Sequence, residues 1–182
     1  MPLTVDESGL VAGVRYIASP NCDERPRGCA IELLVIHNIS LPPGEFGGPG
    51  ILELFTGKLN PDAHPYYREL TELRVSSHFV IRRSGKIIQF VACGRRAWHA
   101  GVSSWRGKTR CNDFSLGVEL EGTDDSLFED RQYERLAALT RALQAKYPIA
   151  DIVGHSDIAP GRKTDPGPHF DWLRYRSMIQ SE

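Results

Sequence analysis

Residues 31–37 read IELLVIH, a run of apolar and β-branched side chains with almost no polar interruption. That is the pattern of a strand covered on both faces, so the chain has to supply a layer on either side of it, and an α/β arrangement follows. The run delivers His37 at its end, followed by Asn38, where strands of α/β sheets commonly present functional groups. Residues 75–83 and 86–91 are expected to be two strands joined tightly through Ser84-Gly85. Residues 114–121, FSLGVELE, alternate, with Leu116, Val118 and Leu120 on one side and Gly117, Glu119 and Glu121 on the other. A carboxylate in the middle of such a strand needs a partner, because burying it alone is costly.

Helical spacing is clearest over residues 130–147, where Tyr133, Leu136, Thr140, Leu143 and Tyr147 share a stripe, with acids at the start and Pro148 at the end. A short strand over 149–153 and a terminal helix over 170–179, packing Phe170, Leu173 and Trp172, complete the regular elements. The connection 41–74 is long, punctuated by Pro and Gly, and carries short helices near 51–55 and 66–73; a connection of this kind commonly forms the rim or lid of a groove. With 182 residues, 41% of them hydrophobic, the chain fits one globular domain. Residues 1–30 are expected to be an irregular arm packed on the domain, and residues 31–182 the domain itself.

Lysines and arginines total 22 against 23 acids, which leaves no electrostatic case for nucleic acid or a membrane surface as partner. The N-terminal residues lack a basic leader and an apolar core, and no run approaches the roughly 20 apolar residues of a membrane span, so a cytoplasmic location is expected. Cys22, Cys29, Cys93 and Cys111 lack C-x-x-C spacing, so neither a zinc ribbon nor a redox motif is indicated. A Cys22–Cys29 disulfide is conceivable, but reduced thiols are the expectation for that compartment.

The chemistry concentrates in residues 154–168, GHSDIAPGRKTDPGP, where three glycines and three prolines fix the path of a loop bearing His155, Lys163 and Asp165. A catalytic zinc ion takes three protein ligands and leaves a position for water, and His and Asp are both suitable donors. If the fold brings the loop to the two strands, His37, His155 and Asp165 would hold one Zn2+ ion, Glu119 would be the general base, and Lys163 would stabilise an oxyanion. His64, His78, His99 and His169 could compete as ligands, but none has a second donor in a comparably rigid context. Trp98 and Trp105 sit in a Gly- and Ser-containing segment that could wall a sugar or peptide site or plug the local core.

The segments LLVIHNISLPPGEFGG, LRVSSHFVIRRSGKIIQFV, RAWHAGVS, CNDFSLGVELEGTD and GHSDIAPGRKTDPGP closely resemble the type-2 amidase family, which includes phage lysozyme-like amidases and peptidoglycan recognition proteins. Within it they resemble the branch acting on 1,6-anhydro-N-acetylmuramyl-L-alanine. The resemblance implies a single-domain α/β (α+β) fold with a central mixed β-sheet flanked by helices. It also implies zinc on His37, His155 and Asp165, acid/base chemistry at Glu119 and transition-state stabilisation by Lys163. Asn38, Arg74, Trp98, Arg110 and Arg162 are implied substrate contacts, since guanidinium groups suit stem-peptide carboxylates. The implied enzyme is a monomer that takes an anhydro-muropeptide as substrate in cytoplasmic peptidoglycan recycling. Other classes compatible with these residues are a zinc peptidase acting on the stem and a non-cleaving peptidoglycan-binding module.

Overall fold

The computed structural model describes residues 2–180. Its strands and α-helices follow one another as β1 (Arg15–Tyr16), β2 (Cys22–Glu24), β3 (Leu33–Ile39), α1 (Gly50–Phe55), β4 (Phe79–Ile81), β5 (Ile87–Gln89), β6 (Arg95–Ala97), β7 (Ser104–Trp105), β8 (Lys108–Thr109), β9 (Ser115–Glu121), α2 (Asp130–Lys146), β10 (Asp151–Gly154), α3 (His155–Ile158) and α4 (Trp172–Gln180). Six strands form a mixed sheet in the order β1-β5-β4-β9-β3-β10. The hairpin pair β4 and β5 is antiparallel, and the other neighbours run parallel. The architecture is the expected central mixed sheet with helices on it.

The alternation in β9 and the apolar run of β3 sort cleanly onto two faces. On one, Leu34, Ile36, Leu116, Val118 and Leu120 pack with Leu136, Leu139 and Leu143 of α2 and Tyr175 of α4. On the other lie two separate clusters: Val80, Ile88 and Phe90 with Ile51, Leu54 and Phe55 of α1, and Leu33, Val35, Ala100, Phe114 and Val153. A polar seam containing His37 and Glu119 belongs to this second face. The start of α2 is fixed by a capping box in which Gln132 Oε1 accepts the Glu129 N–H at 3.0 Å.

Several local expectations need correction. The strand predicted to end at His37 continues to Ile39, because β9 offers partners as far as Ile39↔Glu121. The one predicted over 75–83 shrinks to Phe79–Ile81, since Ser76 is bonded instead to Asn21 and Trp98. The turn after β4 has Gly85 at φ 80, with the Gly85 N–H donating to the Arg82 carbonyl, so it is a longer hairpin than two residues. Residues Pro65–Leu70 form a 3-10 helix opened by His64, whose Nδ1 accepts from Tyr66. Leu173 is 84% exposed: on a helix it lies about 200° from Tyr175, whose hydroxyl is held by Thr140 in the interior.

The segment before β3 is less irregular than expected. β1 extends the sheet, β2 pairs with β6, and Val11 joins the core. Its anchor is Arg25, whose guanidinium donates to the carbonyls of Cys93, Asn112, Asp113 and Ser115; burial pulls its pKa down to about 10. The four cysteines are free, and no helix among the described residues is long and apolar enough to cross a membrane.

Glu121 is the second carboxylate of the β9 stripe, and it has a structural task. Its carboxylate accepts from Arg82 at 2.6 Å and from the backbone N–H groups of Gly47 and Arg83 at 2.7 and 3.1 Å. It thereby ties the 41–49 loop to the hairpin. The side chains of Arg82 and Glu121 are 12% and 2% exposed, so truncating one strands a buried charge. Glu121→Ala is expected to destabilise the fold by about 3–5 kcal/mol, read as the shift in a urea unfolding midpoint. A shift equivalent to under about 1 kcal/mol would assign the pair to the weak surface class.

Candidate active site

Strand register creates the first half of the site. His37 on β3 is paired with Glu119 on β9, and partners across a ladder project to the same face. The second half arrives because β10 runs beside β3 and ends with Gly154 opposite Ile36, so the next residue, His155, emerges beside His37. After the single turn of α3 the loop folds back on itself. Lys163 N–H donates to the Ala159 carbonyl, and Ser156 N–H donates to the Asp165 carbonyl, which returns Asp165 to His155.

Three atoms converge there. His37 Nδ1 lies 3.0 Å from both His155 Nδ1 and Asp165 Oδ2, and His155 Nδ1 is 3.1 Å from the same oxygen. Tetrahedral coordination at zinc–nitrogen distances of about 2.0 Å separates ligand atoms by about 3.3 Å, so the triangle has the dimensions of a metal-binding face. Electrostatics agrees. Burial lowers the His37 pKa to about 4, against the pull of Asp165, which keeps the imidazole neutral. Burial works against charge on Asp165, yet the imidazoles of His155 and His37 beside it favour the carboxylate and hold its carboxyl well below the ordinary range. Two imidazoles and a carboxylate make a donor set suited to a divalent cation.

Glu119 stands apart from these bonds. It is buried, and its Oε2 is one of two buried side-chain polar atoms without a hydrogen-bond partner among the described residues; Ser77 Oγ is the other. Burial, reinforced by the nearby Asp165 and opposed by Lys163, raises its pKa well above the ordinary carboxyl value. Lys163 is exposed and makes no ion pair among the described residues, so its ammonium is available to a ligand. All five residues line one cavity of about 600 Å3.

The expected substrate contacts divide. Asn38, Trp98 and Arg162 line the cavity, whereas Arg74 and Arg110 are outside its lining. Arg74 folds back to donate to the Thr71 and Leu73 carbonyls, and Arg110 turns toward Asp113 at 3.3 Å. Asn38 donates to Asp124 and to the Pro166 carbonyl at 2.6 and 3.0 Å, Trp98 Nε1–H donates to Asp23 at 3.1 Å, and Arg162 donates to the Ala100 and Val102 carbonyls at 2.7 Å. The 41–74 connection supplies one wall, through Leu41, Leu54, Phe55, Tyr66, Leu70 and Leu73.

None of the other histidines joins the triangle. His64 caps the 3-10 helix, His169 is exposed, and His78 Nδ1 accepts the Gly117 N–H at 3.1 Å. His99 does touch the site: its Nδ1 is 2.9 Å from His37 Nε2. Sequence reasoning set it aside as a competing ligand and did not single out Asn112 or Ser115. One signal could have found it. Gly117 sits inside a strand pattern, and glycine there marks a close approach by another group; a Cβ at Gly117 would lie 2.6 Å from His99 Cγ.

Comparison with known proteins bears on the whole chain. Residues 27–168 match the family model described as N-acetylmuramoyl-L-alanine amidase. A relative from Escherichia coli strain K12 named 1,6-anhydro-N-acetylmuramyl-L-alanine amidase AmpD is 56% identical over 178 residues, covering 97% of each chain. The crystal structure of a selenomethionine derivative of AmpD superposes with a TM-score of 0.94 at 56% identity, covering 96% of this chain and 98% of that one. The complex of the Escherichia coli amidase AmiD with anhydro-N-acetylmuramic acid-L-Ala-D-gamma-Glu-L-Lys matches with a TM-score of 0.60 at 32% identity, over 97% of this chain and 65% of that one.

Proposed function

The chain belongs to the N-acetylmuramoyl-L-alanine amidase family, and from that premise we propose that it hydrolyses the amide between the lactyl group of 1,6-anhydro-N-acetylmuramic acid and the L-alanine of the stem peptide. The observation that carries this reading is the triangle of His37 Nδ1, His155 Nδ1 and Asp165 Oδ2 beside the unpartnered Glu119 Oε2. His37, His155 and Asp165 would hold a single catalytic Zn2+ ion. When bound, it supplies Lewis-acid polarisation of the scissile carbonyl and makes water more acidic.

The remaining work falls to the protein. Glu119 Oε2 takes the proton of the attacking water and gives it to the nitrogen of the departing L-alanine as the carbon–nitrogen bond breaks. Lys163 presents its ammonium to the oxygen that gains charge as the carbonyl becomes tetrahedral. Trp98, Leu54 and Phe55 form apolar wall for the sugar and the lactyl group, and Arg162 faces the stem-peptide carboxylates. Asn38 acts indirectly, by tying Asp124 to Pro166 at the rim. The cytoplasmic setting, the place in peptidoglycan recycling and the monomeric state belong to the same proposal and rest on the resemblance.

The test is mass analysis of products from purified protein incubated with an anhydro-muropeptide and with a reduced ordinary muropeptide, with and without a chelator. Release of the intact stem peptide from the anhydro substrate is expected, stopped by the chelator and restored by zinc. Cleavage inside the stem would make the protein a peptidase, and binding without cleavage would make it a recognition module.

A further inference from the structure

We infer that His99 and Ala100 are positioning residues that set the tautomers of the two histidines in the metal triangle, His99 for His37 and the Ala100 carbonyl for His155. The inference rests on the metal-site reading above and extends it to residues that make no contact with the metal.

The argument is one of donors and acceptors. His155 Nε2 is 3.0 Å from the Ala100 carbonyl. A carbonyl can only accept, so the proton of His155 sits on Nε2 and Nδ1 keeps its lone pair for the triangle. His37 faces the same requirement. To offer Nδ1 it must carry its proton on Nε2, and the partner of that atom is His99 Nδ1 at 2.9 Å. His99 can accept there only if its own proton is on Nε2, where Ser115 Oγ waits at 3.0 Å. One proton arrangement, His37 Nε2–H to His99 Nδ1 and His99 Nε2–H to Ser115 Oγ, therefore leaves His37, like His155, ready to bind.

The seat of this device is built into the backbone. Asn112 Oδ1 accepts the N–H groups of both His99 and Ala100, at 3.1 and 2.9 Å, so the two partners move as a unit. The absent side chain at Gly117 leaves the space that the His99 ring fills. Partners of metal-bound histidines of this sort typically change metal affinity by about 10- to 100-fold when removed.

The experiment begins with the zinc content of the wild-type protein, measured by elemental analysis. A wild type that binds no zinc overturns the metal-site reading itself, and is thereby distinguished from failure of the present inference. In the zinc-loaded wild type, long-range proton–nitrogen NMR reads the tautomer of each histidine. A proton on His99 Nε2 and on His37 Nε2 is expected, and one on His99 Nδ1 would overturn the inference. Chelator competition then compares variants. His99→Phe is expected to weaken zinc binding about 10- to 100-fold, with recovery in His99→Asn, whose amide oxygen can stand where Nδ1 stands. Unchanged zinc affinity in a folded His99→Phe variant would also overturn it. If that variant does not fold, the wild-type tautomers decide the question.

Discussion

Glu119→Gln is expected to lower kcat by about 10²- to 10⁴-fold while leaving the zinc content unchanged, because it removes proton transfer and keeps the shape of the side chain. The metal triangle does not use Glu119, and its Oε2 has no partner to lose. The pH profile gives a second readout. Burial first, then Asp165, raises the pKa of Glu119 well above 4.5, and the base must be ionised to accept a proton. Activity should therefore fall as pH drops through the Glu119 pKa, which the charge of a bound ion draws back down from its metal-free position, and Glu119→Gln should lose this acid limb of kcat/KM. Stability runs the other way. A carboxyl whose pKa is higher in the folded state is tolerated best when protonated, so its contribution to stability is lost as pH rises from the unfolded value through the folded one. The metal-free Glu119→Gln protein should accordingly melt higher than metal-free wild type above that window. Wild-type turnover in the variant, or an unchanged acid limb, would remove Glu119 from the chemistry.

Asp165→Ala and Lys163→Ala are expected to fail for different reasons. Asp165 supplies the only carboxylate of the triangle and the oxygen that contacts both imidazoles. Its loss should release zinc and take activity to background. Lys163 makes no contact in the triangle, so Lys163→Ala should retain zinc and lower kcat by about 10²- to 10³-fold, the typical effect of one oxyanion donor. Elemental analysis beside steady-state kinetics separates the two. Equal zinc loss in both variants would show that Lys163 helps to hold the metal site together and that the division of roles is wrong.

Much of this protein could be read before any coordinates. The apolar run of β3, the alternation of β9 and the stripe of α2 each encode burial in their periodicity, and each buries the faces so predicted. His37, Glu119, His155, Lys163 and Asp165 were legible because they sit at strand positions or in a stiff Pro- and Gly-rich loop, contexts in which a polar side chain calls for a reason. Leu173 was misread because apolar character alone does not say which side of a short helix faces inward. Arg74 and Arg110 were carried over from likeness, and their side chains turn to nearby carbonyls and to Asp113.

Local pattern determined the elements and the chemical types because period and residue chemistry are properties of the chain itself. What only the tertiary structure decided was which atoms meet. The β3–β9 register puts Glu119 beside His37, the parallel β10 brings in His155, and the space above Gly117 admits His99. Those encounters join residues as much as 118 positions apart. They depend on strand order, register and the volume left by a missing side chain, none of which is written in any one stretch of sequence.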